Sequence, residues 1–138
     1  MSRTRLIPAL LLSLLAGTAV ARPMTVSFSV DAQQNCLEWY YGYGTIAGFI
    51  NIPLEPGTWR AEVVSSTMYE NVAYPDQLNS RVALIQGYNV LAGIEIGKPV
   101  RFTVSEDTSP DMKAFIVDPI CRDNGGSAMV KFTRLKAL

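Results

Sequence analysis

Residues 24–30 read MTVSFSV. Apolar side chains alternate with small hydroxylated ones, the two-residue period of a strand that turns one face to a core. Working outward, the same period returns in TIAGFINI (45–52), TWRAEVVSS (58–66), RVALIQ (81–86), VRFTV (100–104), KAFIVD (113–118) and SAMVKFTRL (127–135). These runs are rich in Val, Ile, Phe and Thr, which suit a pleated, half-buried surface. Between them lies turn chemistry: PLEPG (53–57), YPDQ (74–77), QGYN (86–89), GKP (97–99), SPD (109–111) and DNGG (123–126). No window carries the 3.6-residue period and caps of an amphipathic helix. LEWYYGYG (37–44) reads as strand or loop, and PLEPGTW sets a turn after which Trp59 opens a buried strand. About seven or eight short antiparallel strands predict an all-β chain folded as a jelly-roll-like β-sandwich.

The first residues set the compartment. MSRTR carries two arginines, LIPALLLSLLAGTAV is a short apolar run, and Ala19-Val20-Ala21 is the small-x-small pattern of a cleavage site. Residues 1–21 therefore read as a secretory signal peptide and 22–138 as one β-sandwich domain. The apolar run falls short of the roughly 20 residues of a membrane span, and none follows, so no membrane association is expected after cleavage. Export ends in the periplasm or outside the cell. Basic and acidic groups balance at 12 each, which argues against nucleic acid as a partner, since that requires a basic stripe.

An even cysteine count in an oxidising compartment predicts a disulfide between Cys36 and Cys121. It would close a loop of roughly 85 residues and contribute about 4 kcal/mol by the chain-entropy argument. Free thiols or an intermolecular bridge are the alternatives. The chain has no histidine. That removes the Ser-His-Asp and Cys-His catalytic sets and the histidine zinc sites, and no enzyme activity is expected.

VDPICRDNGGSAMVKF (117–132) concentrates oxygen ligands. Asp118, Asp123 and Asn124 bring hard side-chain oxygens within one loop, and the carbonyl of Cys121 or Arg122 lies in the same interval. Calcium takes six to eight such ligands. The alternative is a plain turn, because Asp-Asn-Gly-Gly also suits a left-handed turn between strands.

The same stretch resembles the last two strands of the bacterial calcium-dependent galactophilic lectins, small jelly rolls that bind D-galactose through a bridging calcium. Asp118 of AFIVD (114–118) matches the Asp that ends the family's strand. Asp123-Asn124-Gly125-Gly126-Ser127 stands in the place of its Asn-Asn-Ser-Gly-Ser run. VVSSTMYEN (63–71) resembles the strand end whose Tyr offers a main-chain oxygen to calcium, here Tyr69. YPDQ resembles the His-Pro-Asp-Gln whose His and Gln touch the sugar, here Tyr74 and Gln77. The loop after Asp118 is shorter than in the family, Tyr replaces His, and Asp123 replaces an Asn. The resemblance implies a Ca2+ site of Tyr69, Asp118, Cys121, Asp123 and Asn124. It also implies a sugar site of Tyr74, Gln77, Asp118 and Asn124, with multivalency through a homo-oligomer to raise avidity.

Other clusters read more plainly. Trp39-Tyr40-Tyr41-Gly42-Tyr43 is a strand alternating between core and surface, or a stacking platform. Glu106, Asp107 and Asp111 sit in one turn and point apart, unlike a glycosidase pair. Ser65, Ser66 and Thr67 have no base, and Glu70 has no evident partner. The expected function is a secreted calcium-dependent carbohydrate-binding module for a galactose-like sugar. The alternative is an exported structural or protein-interaction domain with neither metal nor activity.

Overall fold

The structure, a computed structural model, describes residues 24–38, 45–46, 48–79, 81–87, 89–106 and 112–138. The signal peptide expected over 1–21, the aromatic run Trp39–Tyr43, and Asp107 and Asp111 lie outside these residues. The strands are β1 (Thr25–Asp31), β2 (Cys36–Glu38), β3 (Thr45–Ile46), β4 (Ile50–Asn51), β5 (Gly57–Ser66) and β6 (Met68–Tyr69). They continue as β7 (Leu78–Asn79), β8 (Val82–Gln86), β9 (Asn89–Ile94), β10 (Val100–Val104), β11 (Met112–Asp118) and β12 (Ser127–Ala137). Eight of them are three residues or longer, so the all-β reading holds and the short segments are additions to it. No helix among the described residues is long and apolar enough to cross a membrane.

Two sheets face each other. The first has the order β1-β12-β5-β10 and the second β3-β2-β11-β8-β9, with β4 also on β11. The alternation seen in the sequence decides which side chains enter the space between them. On β5, Trp59, Ala61 and Val63 are buried while Thr58, Arg60 and Glu62 turn outward. On β12, Ala128, Val130 and Phe132 are buried, and register sets Phe132 beside Ala61 and Val130 beside Val63. Phe132 meets Phe28 and Phe102 edge to face at 6.0 and 6.3 Å, the geometry ring quadrupoles favour. From the second sheet, Leu84, Ile94, Met112, Ala114 and Ile116 join the same core. Trp59 is fully buried, and its indole nitrogen donates to the Glu55 carbonyl at 2.8 Å. The turn before it therefore satisfies its one polar atom.

Three details depart from the sequence reading. TIAGFINI is not one strand: β3 pairs with β2 and β4 pairs with β11, so its two ends serve different neighbours. β2 pairs parallel to β11, whereas the other ladders are antiparallel. β9 went unrecognised because NVLAGI sets Ala and Gly where alternation needs larger side chains. The expected disulfide is present: Cys36 and Cys121 are bonded with Cα atoms 5.8 Å apart and a sequence separation of 85.

Candidate functional site

β11 and β12 belong to different sheets, so the loop of residues 119–126 is a crossing between layers and not a hairpin turn. It opens with a 3-10 turn at Cys121–Asp123, in which the Asn124 amide donates to the Cys121 carbonyl at 3.3 Å. Two neighbours hold it. On one side is the turn after β1, where Asp31 Oδ1 accepts the amides of Gln33 and Gln34 at 2.9 and 2.8 Å. From that turn Gln33 Nε2 donates to the Arg122 carbonyl at 2.9 Å and the Ala32 amide to the Gly126 carbonyl at 3.0 Å. On the other side Tyr69 and Gly125 exchange main-chain bonds, N to O at 3.0 Å and O from N at 3.1 Å. The disulfide closes the base.

The glycines are needed for this close approach. A Cβ on Gly126, which has φ +76°, would lie 2.1 Å from the Thr67 carbonyl oxygen. One on Gly125 would lie 2.2 Å from the Tyr69 hydroxyl.

Asn124 is 6% exposed. Its amide nitrogen donates to the Ala32 carbonyl at 3.1 Å and to Cys36 Sγ at 3.5 Å. Both partners only accept, so the nitrogen must face them. Its Oδ1 is left buried with no partner, as is Asp123 Oδ1. Each unmet buried oxygen costs on the order of 1–3 kcal/mol.

Beside the loop is an open pocket of about 410 Å³. Asp118, Pro119, Ile120 and Asp123 form one wall; Glu70, Asn71, Tyr74 and Gln77 form the other. The second wall belongs to the connection between β6 and β7, which pair as a hairpin. There the Tyr74 amide donates to the Asn71 carbonyl at 2.9 Å and the Gln77 amide to the Tyr74 carbonyl at 3.0 Å. These turns leave Tyr74 58% exposed.

The fold thus brings Tyr74, Gln77, Asp118 and Asp123 onto one pocket. Asn124 is buried next in sequence to Asp123 and does not itself line the pocket. Tyr69 and Cys121 adjoin through the main chain, although each carbonyl already accepts one bond, from Gly125 and Asn124 respectively. Sequence reasoning missed Glu70 and Asn71. Glu70 has a partner after all, the Asn79 side-chain amide across the hairpin. Its position directly after Tyr69 was the available signal.

The charge is one-sided: the lining holds three acidic residues and no basic one. Burial raises the pKa of Asp118 above the usual aspartate range, with the charges of Asp123 and Glu38 adding, against the Ile120 amide, which donates to Asp118 Oδ1 at 2.8 Å. Glu70 is also raised, first by desolvation and then by the Asp118 charge. Among the described residues no three Asp, Glu or Cys side chains converge as a ready metal cage. A cation held here must also draw on amide and main-chain oxygens, as calcium commonly does. The donors are hard oxygens, the type calcium takes. Compared with known protein families, curated proteins and solved structures, the chain matches none.

Proposed function

We propose that this chain is an exported, calcium-dependent carbohydrate-binding module, with its site in the pocket between the β6–β7 connection and the 119–126 loop. The observation that carries the reading is the pair of buried, unpartnered oxygens, Asp123 Oδ1 and Asn124 Oδ1, on a loop bordering an acidic pocket. A hard cation would satisfy those oxygens and offset the burial, and the lesser like-charge repulsion, that raise the Asp118 and Glu70 pKa values. Asp118, Asp123 and Asn124 supply side-chain ligands, with the carbonyls of Tyr69 and Cys121 completing the set. When bound, calcium offers open coordination positions to two vicinal sugar hydroxyls. Tyr74 then lays an exposed ring against the apolar face of the pyranose, and Gln77, Asn71 and Glu70 hydrogen-bond to its rim. One shallow site binds weakly, so a homo-oligomer belongs to the same proposal.

The test is thermal unfolding of the mature, oxidised protein in chelator and in millimolar calcium, with magnesium as control. Calcium is expected to raise Tm selectively, by about 2.7 kcal/mol of stability at a hundredfold excess over Kd. Asp118→Ala is expected to abolish the gain, and a glycan array then identifies the sugar. Absence of a shift at saturating calcium would sink the reading. It would favour the protein-interaction alternative, which the exposed sheet-edge strand β9 supports through Val90, 74% exposed. N-terminal sequencing after secretion is expected to begin at Arg22.

A further inference from the structure

Glu70 borders three adjoining pockets, and Gln77 two of them. Beyond Glu70 the surface opens into a trough of about 610 Å³ over the outer face of the second sheet. Its depth comes from missing side-chain bulk. Register pairs Ala83 of β8 with Gly93 of β9, so neighbouring positions carry only a methyl group and a hydrogen. Val117 and Val90 flank this floor, 49% and 74% exposed. One wall is polar and held in place: Arg81 donates through Nε and Nη2 to Glu95 Oε1 at 3.0 and 2.8 Å. The opposite wall is Glu70, held by Asn79.

We propose that this trough is a second subsite, which takes the next residue of an oligosaccharide whose terminal sugar occupies the pocket by Asp118. The inference rests on the carbohydrate reading above and extends it from a monosaccharide to a chain. A sugar ring has an apolar C–H face and a rim of hydroxyls, and the trough offers an apolar floor and a polar wall. Arg81 supplies planar guanidinium donors and Glu70 an acceptor. A peptide strand suits the place less well. It binds through main-chain hydrogen bonds running along a sheet edge, whereas the trough is floored by side chains on the sheet face and has the free edge of β9 only at its side. Continuity is direct, because a chain leaving the first pocket passes Glu70 and Gln77 on its way into the trough.

The experiment is an NMR titration of the full mature chain in calcium, with methyl galactoside and with galactose-terminated di- and trisaccharides. The monosaccharide is expected to move signals of residues 70–77 and 118–124, which line the first pocket, and to leave Ala83, Ala92 and Gly93 unmoved. The longer sugars should also move Ala83, Ala92 and Gly93 and bind about tenfold tighter. Gly93→Gln fills the trough at a position where an added Cβ meets nothing closer than 3.7 Å. It should remove the tenfold gain and leave monosaccharide affinity unchanged. Equal affinities with silent trough signals would overturn the subsite and leave the calcium-site reading standing. Silence at both places with every sugar would overturn both. If Gly93→Gln lowers Tm, the wild-type signal map decides alone.

Discussion

At Asp118 the cost of charge and the use of charge meet. Its carboxylate is buried, its pKa is raised by that burial, and Asp123 and Glu38 repel it. Asn in its place removes the charge and keeps an oxygen to accept the Ile120 amide. In chelator, Asp118→Asn is expected to melt about 2–4 °C higher than wild type. In calcium the order should reverse, because the variant gains nothing from the ion; scanning calorimetry in both buffers checks this. A lower melting point in chelator would show that neither burial nor repulsion makes this carboxylate costly. The two loop glycines differ in a way that also decides magnitude. Gly126 opposes the backbone oxygen of Thr67, which cannot move without β5 and β6, and its φ is positive. Gly125 opposes the far end of the Tyr69 side chain, which can swing. Gly126→Ala should therefore cost about 2–4 kcal/mol and Gly125→Ala distinctly less, measured by urea unfolding.

Among the elements, β11 and the loop after it matter most for the site. β11 pairs with β8 on one side and with β4 and β2 on the other, so its position is over-determined and Asp118 is carried to a fixed point. The loop has no sheet ladder of its own. It depends on the turn after β1, the Tyr69–Gly125 pair and the disulfide. Replacing both cysteines (Cys36→Ser with Cys121→Ser) releases a closed loop of 85 residues. The expected loss is about 4 kcal/mol, the chain-entropy value for a loop of that size. Calcium should then stabilise the double variant less than wild type even where it remains folded, since Asn124 loses the sulfur that orients its amide. Urea curves with and without calcium measure both effects; an unchanged calcium increment would show that the bridge does not serve the site.

For the molecule as a whole, the carboxylates act in two directions. Glu62 has its pKa lowered chiefly by a hydrogen bond from Lys131, and Glu95 chiefly by one from Lys98. Their stabilising contributions are lost as pH falls through those lowered values. Asp118 and Glu70 are raised, so the folded state holds their protons more tightly than the unfolded chain does. By linkage, stability in chelator should rise as pH falls through the window from their raised values to the ordinary carboxylate range. At lower pH it should fall as Glu62 and Glu95 protonate. In calcium the trend across that first window is opposed, because protons compete with the metal for the same oxygens. Melting temperatures across the acid range, with and without calcium, are expected to converge on acidification. Parallel curves would separate the two carboxylates from any metal site.

What the sequence determined by itself is what depends on near neighbours in the chain. Alternation within MTVSFSV, VRFTV and KAFIVD marks strands because a side chain's face follows from its position alone. Trp59 after the Pro-Gly turn reads as core for the same reason. The cysteine pairing was legible because two cysteines in a chain that reads as exported have few other choices. The tertiary structure alone decided the rest. It sent β11 and β12 to different sheets, ran β2 parallel to β11, and made a strand of the Ala- and Gly-bearing NVLAGI. It also brought Glu70 and Asn71 to face Asp118 across a pocket. Those outcomes depend on which distant segments share a ladder. That choice is made by burial summed over both sheets, and no local period carries it.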